Sequence, residues 1–258
     1  MTAPTPSLLA PDEPVAVRVL REAGASDFLF TADHAGRRIP RSLGNLGVAG
    51  SDLERHIAWD IGVAGVTEHL STALDATAAL QTWSRLVIDC NRDPSWPSAI
   101  PVLSEFSEIP GNRDLTDAQR GARADAIFHP YHDRIAALID ARAAAGRRTV
   151  LVAMHSFTPV FKGESRKLEV GVLYFHKTKL AEIMLDLLRR EPDLTVGENA
   201  PYALTEASDY SIPFHAERRG LEHVEIEIRQ DLIATPDGQA EWANRFSHWF
   251  AAALPQLG

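Results

Sequence analysis

Histidines and acids stand where apolar runs end, the points at which a buried strand's side chains first reach open space. His34 follows "FLFTAD", and His155 closes "RTVLVAMHS". A hydrolytic zinc ion needs about three protein ligands of the His, Asp or Glu type, with one position left for water. His34 and His155 are candidates for two of them. His56 and Asp60, four residues apart, share one face of a helix expected from Ser51, and either could supply the third. A carboxylate among Ile57, Trp59 and Ile61 is costly to bury without a partner, and a metal would be one.

Plainer explanations stand beside these. A lone strand-end histidine usually satisfies a backbone group, and the chain has neither HExxH nor HxxE. In "HPYH", Pro130 opening a helical turn explains the shape without a metal. His132 is kept as a substrate contact or as support behind the ligands. Asn91 and Arg92 follow "RLVIDC", a presumed strand, and Arg92 at its exit suits a bidentate grip on a carboxylate. Arg85, at its entry, reads as structural, with Asp89 as an ion partner for one of the two arginines. In "HVEIEIRQDL", alternation puts Glu225 and Glu227 on one face and Val224, Ile226 and Ile228 on the other. Two such carboxylates usually mark a solvated face; turned into a cleft, one of them can take a proton from water. Ser156 beside His155 lacks a GxSxG elbow, so a serine nucleophile is a weak reading.

These residues need a scaffold. Length allows one large core, and residues 1–258 read as a single domain with a loose tail over 1–13. Short apolar strands are expected at "DFLF", "ATAALQTW", "RLVIDC", "RTVLVAMHS", "LEVGVLYF" and "HVEIEIRQDL". Helices are expected from Ser51, with Glu54 completing a capping box, and from Thr116, with Gln119 doing the same. Pro130 should kink or divide the second helix and Gly146 should end it. Further helices are expected at "KTKLAEIMLDLLRR" and "GQAEWANRFSHWFAAAL". Alternating strands and helices predict a three-layer α/β/α sandwich around a mostly parallel, mixed sheet. In such sheets ligands gather outside the carboxyl ends of the strands, where the polar residues above collect.

A net charge of −9 argues against a nucleic-acid or anionic-membrane partner. The single cysteine, Cys90, cannot form an internal disulfide, and no run of about 18 apolar residues is present. With no signal-peptide pattern at the start, the expectation is a cytoplasmic protein acting on a small molecule. Oligomeric state is not legible.

The strings "ADHAGRRIP", "HIAWDIG", "SRLVIDCNRD", "IPGN", "PYH", "HSFTP", "ENAPY" and "IEIRQDL" occur in an order that resembles the N-formylglutamate amidohydrolase family. The likeness runs from about residue 27 to residue 245. It implies a metal-dependent amide hydrolase similar in fold to the zinc carboxypeptidases. Carried over, His34 and His155 are metal ligands, Asn91 and Arg92 grip a substrate carboxylate, and Glu227 is the base. The residue three after His34 is Arg37, where carboxypeptidases place a ligand glutamate, so the third ligand comes from elsewhere. Asp60 is the choice, with His56 in reserve.

The expected reaction is hydrolysis of an N-acyl amino acid, N-formyl-L-glutamate being the leading case, with one divalent ion, zinc first. The loops around "SFTPVFKGESRK" and "GENAPYALTEASDYSIPFHAERRG" would form the specificity wall, and Asn199, Tyr202 and His215 are weaker picks within the second. His215 would steady an oxyanion or carry a proton. The alternatives are a hydrolase for a larger amide, such as a peptide or cell-wall fragment, and a binding protein without efficient hydrolysis.

Overall fold

The computed structural model describes residues 7–205 and 208–258. Seven strands form one sheet: β1 (Val17–Leu20), β2 (Phe28–Ala32), β3 (Thr77–Gln81), β4 (Val150–Phe157), β5 (Val170–Leu173), β6 (Val196–Glu198) and β7 (Glu222–Arg229). Their spatial order is β1-β3-β2-β4-β7-β5-β6. The central four, β3, β2, β4 and β7, are parallel, whereas β1 runs antiparallel to β3 and β5 antiparallel to β7. This is the mixed, mostly parallel sheet expected, with helices on both faces.

Side-chain alternation decides what each face carries. Phe28, Phe30, Val150, Val152, Met154, Val224, Ile226 and Ile228 point to one face. There they pack under α1 (Val63–Ala73), α4 (Lys179–Leu188) and α5 (Pro236–Ala253). Leu29, Ala79, Leu151, Ala153 and Leu173 point to the other, against the π-turn Ala124–Phe128 that follows α2 (Asp117–Arg123), against α3 (His129–Ala144) and against the loop from Trp83 to Ile100. On this second face the strands turn polar at their carboxyl ends. His155 pairs in register with Glu227 and Ala153 with Glu225. Thr31 of β2 pairs with Ala153, so the same parity carries Asp33 into the row.

Three local expectations are corrected. "RLVIDC" is not a strand; it is a chain of turns in which Val87 N–H donates to Ser84 O and Asp89 N–H to Ala99 O. A short apolar run does not fix a strand by itself, and here the loop is buried beneath α3 instead. The helix expected from Ser51 is broken. One turn, Gly50–Leu53, starts at Ala49 without a side-chain cap, so the Ser51–Glu54 box does not form. Regular helix resumes only at Val63. Between them the backbone is spent on cross-links: Asp60 N–H donates to His34 O, and Arg85 N–H to Ala58 O. Lastly, of the tail expected over 1–13, residues 1–6 lie outside those described, and the remainder is tied down. Ser42 Oγ donates to Leu8 O at 2.8 Å and Arg41 N–H to Glu13 Oε1 at 2.8 Å.

The second helix forms as expected at its start, with Thr116 and Gln119 making a reciprocal capping box. It is divided next to Pro130: a π-turn over Ala124–Phe128 separates α2 from α3, and the proline sits in the first turn of α3, which continues to Ala144. Gly146, at φ +66°, lies just past its end.

Gly62 shows how tightly the broken segment is held. Its φ is +83°, and a Cβ there would lie 2.0 Å from the Ile233 carbonyl oxygen. Gly62→Ala is expected to destabilise the protein by at least about 2 kcal/mol, combining left-handed backbone strain with a backbone clash. Urea denaturation measures this, and a midpoint equal to wild type would refute the close approach.

Candidate active site

The carboxyl ends of β2, β4 and β7 meet over a cleft of about 430 Å³, lined among others by His34, Asp60, Arg85, Arg92, His155 and Glu227. His34 and Asp33 leave β2, His155 ends the polar row of β4, and Glu225 and Glu227 stand beside it on β7. Asp60 comes from the broken segment and is the hub. Its Oδ2 accepts the Ser156 N–H at 3.1 Å and His155 Nδ1–H at 3.0 Å, and lies 3.4 Å from His34 Nδ1. Its Oδ1 lies 3.3 Å from Arg85. Ser156 Oγ donates to Ile61 O at 2.9 Å, so this serine pins the segment rather than serving as a nucleophile.

His34, Asp60 and His155 are all buried, and one ligand atom from each lies within 4.8 Å of the others. Ligand atoms around a tetrahedral ion with bonds near 2.0–2.1 Å are separated by roughly 3.3 Å. The 3.0 and 3.4 Å separations match that spacing. The outward ring nitrogens face carboxylates, as ligand histidines commonly do. His34 Nε2 donates to Asp89 Oδ1 at 2.7 Å, and His155 Nε2 is 3.8 Å from both Asp33 Oδ2 and Glu225 Oε2. Asp89 is held in turn by Arg85 at 2.7 Å, and Asp33 by the Tyr131 hydroxyl at 2.6 Å. His34 Nδ1, His155 Nε2, Asp33 Oδ2, Glu225 Oε2 and Glu227 Oε2 are buried without a hydrogen-bond partner. The donor set therefore fits a cation: five buried carboxylates converge (Asp33, Asp60, Asp89, Glu225 and Glu227), and among the described residues Arg85 is the arginine ion-paired with them.

The electrostatics show the same demand for positive charge. Burial opposes the charged form of His155, yet Glu225, Asp60 and Glu227 outweigh it and raise its pKa well above the usual value. His34 is raised likewise, with burial and Arg85 opposed by Asp89 and Asp60. Asp60 is pulled down against its burial by both imidazoles. Burial dominates at the glutamates, pushing Glu225 and Glu227 up to about 8.

Other residues singled out from the sequence fall in several places. His56 lines the cleft, its Nε2 3.5 Å from Glu105 Oε2, and is not part of the His34–Asp60–His155 group. Asn91 is committed to the late loop: its Oδ1 accepts the N–H groups of Tyr210 and Ser211, and its Nδ2 donates to Asp209. Arg92 stands 3.7 Å from Asp209 on the cleft wall. Tyr202 also lines the cleft. Asn199 lies away from it, at φ +47°, with its Oδ1 accepting the Tyr174 N–H. His132 and His215 are stacked behind the wall, not on it. His215 belongs to a buried π-turn, Ile212–Ala216, so it is no exposed loop histidine.

Sequence reasoning missed the Asp33–Tyr131 pair, whose partners are 98 residues apart; "PYH" was noticed only for its histidines. Arg85 has the structural role expected, paired with Asp89, and lines the cleft as well. With "RLVIDC" folded into turns, Arg85 and Arg92 wall the same cleft instead of occupying opposite ends of a strand.

The fold and the rim cluster define an α/β protein equipped for acid–base chemistry on a ligand held at the strand ends. The family model of N-formylglutamate amidohydrolase matches residues 26–234, and the chain belongs to that family of amide-bond hydrolases. It is similar to the gene product Atu2144 of Agrobacterium tumefaciens, at 42% identity over 97% of this chain and 99% of that one, with a TM-score of 0.93. An N-formylglutamate amidohydrolase from Ralstonia eutropha JMP134 superposes with a TM-score of 0.62 at 18% identity, covering 92% of this chain and 98% of its own. No curated protein matches the chain. Among the described residues no helix is long and apolar enough to cross a membrane.

The histidine stack gives a pH signature. His132 Nε2–H donates to Cys90 O at 2.7 Å, leaving Nδ1 to accept from His215 Nε2 at 2.9 Å. Burial lowers His132 to about 4 and His215 to about 2. Both folded values lie below the unfolded value near 6.5, so this stability is present above that pH and drains away on acidification. Each ring costs up to about 1.4 kcal/mol per pH unit between about 6 and 5. His215→Gln should make stability fall less steeply there, by about one proton. Urea unfolding across that range tests it; an unchanged slope would mean that His215 is already charged in the folded state.

Proposed function

We propose that the chain hydrolyses the amide bond of an N-acyl amino acid, with N-formyl-L-glutamate as the leading case. His34, Asp60 and His155 would hold a divalent ion, zinc first. The observation that carries this reading is the buried His/Asp/His group, which has an unpartnered imidazole nitrogen and outer carboxylates behind both rings. When bound, such an ion supplies Lewis acidity to the amide carbonyl and to a water molecule. The donors accept several divalent ions, and the set alone does not select one.

Glu227 is the proposed base. It takes a proton from the attacking water and passes it to the leaving nitrogen, so that hydroxyl joins the acyl carbon as the C–N bond breaks. Burial lifts its pKa to about 8, and a dication beside it would draw that value toward neutrality, where a general base works best. Arg92 is proposed to hold the α-carboxylate. Arg85 is spent on Asp89 and Asp60, whereas Arg92 donates through Nη1 to the Asn91 carbonyl at 2.8 Å and meets a carboxylate only at 3.7 Å, from Asp209, among the described residues. Asn91 acts through the loop it clasps, and Glu225 through His155. His132, His215 and Asn199 are given no role in the proposed reaction: the two imidazoles are buried against each other and the Cys90 carbonyl, and the Asn199 carboxamide oxygen holds the Tyr174 N–H.

The test is metal analysis of purified protein, then chelation and return of zinc, with free amine as the readout. Activity should vanish and come back, and Glu227→Gln should lower kcat by about 10²–10⁴-fold while metal stays bound. Undiminished turnover by metal-free protein would remove the mechanism.

One observation favours a larger amide. The exposed apolar residues Val102, Leu103 and Phe106, from a hairpin over Leu103–Glu108, and Val160, from a hairpin over Val160–Ser165, stand beside residues of the cleft wall. Phe106 is 68% and Leu103 57% exposed, a cost that contact with an extended apolar substrate would offset. If such substrates are used, kcat/KM should climb along a formyl, acetyl, butyryl and octanoyl series, and Phe106→Ser should flatten the climb. A series that declines from formyl onward would eliminate this reading.

A further inference from the structure

We infer that Arg166 is a second anion anchor of the cleft, reading the side-chain carboxylate of an acidic N-acyl amino acid. This inference rests on the N-acyl amino acid reading above. Arg166 follows the Val160–Ser165 hairpin, and its backbone N–H closes that hairpin on Pro159 O at 2.8 Å. Its guanidinium lies over three aromatic rings, 4.8 Å from the centroid of Phe161, 4.9 Å from Tyr202 and 5.8 Å from Phe157. All three rings line the cleft, and Arg166 is packed on their faces without itself being a lining residue. One N–H donates to the Tyr202 hydroxyl at 2.8 Å. Among the described residues no carboxylate comes within 4 Å of the guanidinium, although acids outnumber bases by 35 to 26 in the chain.

An arginine held by ring faces and one hydroxyl is oriented without being neutralised. Four of its five N–H groups remain for a ligand, and the planar fork matches a carboxylate in two places. The wiring at Arg85 is the contrast, since three of that guanidinium's N–H groups go to the carboxylates of Asp89 and Asp60.

The position suits the second carboxylate of such a substrate. Phe157 shares the strand face of His155 two residues further on, about 7 Å along β4. The Arg166 guanidinium is 5.8 Å from the centroid of that ring. Arg92 reaches the cleft from a different segment, the loop beside Asp209. On this assignment a ligand with two carboxylates engages both arginines, and a ligand with one engages a single arginine.

Arg166 is therefore a specificity residue. Its signature is the ratio of kcat/KM for an N-acyl glutamate to that for the matching N-acyl glutamine, whose side chain has the same shape without charge. Arg166→Gln should reduce this ratio by about 10- to 100-fold, chiefly through KM, since a charge-assisted pair is lost. Arg166→Lys should restore part of it, keeping the charge without the fork. A ratio unchanged in Arg166→Gln would overturn the assignment, as would equal losses on both substrates.

Binding is read separately on metal-free protein, by calorimetry with glutarate and butyrate. Wild type should prefer glutarate, and the preference should shrink in Arg166→Gln and partly return in Arg166→Lys. Equal affinity for the two acids in wild type would overturn the assignment even if hydrolysis is observed. If neither amide is hydrolysed but the glutarate preference behaves as stated, the proposed reaction fails and the anchor stands.

Discussion

Five carboxylates and two imidazoles share a volume from which water is largely excluded, and the charge balance of that group constrains the rest of the structure. Asp60 is the centre of it. One carboxylate receives a backbone N–H from the end of β4, faces both histidines and touches Arg85. Removing a carboxylate from water is tolerable only where such partners replace the hydration. The segment around Asp60 forgoes helical hydrogen bonds to make bonds to the ends of β2 and β4 instead. Gly62 then lets the chain turn back into α1 where a side chain would strike Ile233.

The parts legible in the sequence were those governed by periodicity. Strand alternation fixes which residues of β7 share a face, so Glu225 and Glu227 could be paired before any coordinates were known. The histidines ending apolar runs could be located for the same reason. Asp60 was conspicuous as an acid among apolar neighbours, but the expected helix around it was wrong, because its backbone bonds are made to distant strands. "RLVIDC" failed by the same logic: an apolar run of that length is compatible with any buried path, and α3 provides one outside the sheet. Arg85 is nonetheless paired with Asp89, the structural role expected of it. The Asp33–Tyr131 bond could not be read locally at all, since neither residue carries a pattern that points to the other.

Two layers of support stand behind the cleft, and they differ in kind. Asp89, Asp33, Tyr131 and Arg85 form a charged layer in which each histidine is backed by a carboxylate that is itself held. Such layers fix ring orientation and raise the basicity of the inward nitrogen. The second layer, His132 with His215, is neutral and packed among Phe128, Tyr210 and Phe214. Its directional chain ends on the Cys90 carbonyl, next to Asn91, whose carboxamide holds Tyr210 and Ser211. The stack thus braces the two loops that meet at Arg92 and Asp209, and its burial explains why it contributes shape without chemistry.

The Arg92–Asp209 contact follows from this arrangement. At 3.7 Å it is too long for a hydrogen bond, yet the loop that carries Asp209 is bound firmly by Asn91. Asp209 therefore cannot simply close on the guanidinium, which is steadied by Nη1 donating to the Asn91 carbonyl at 2.8 Å and keeps its Nε and Nη2 edge without an acceptor among the described residues. An arginine so placed can exchange a distant internal carboxylate for a nearer external one with little change in the loop. Arg85 has no such freedom, because releasing Asp89 would also release His34. The two arginines of one short segment are thus divided by their partners' rigidity: one stabilises the charged group, and the other remains available to a ligand.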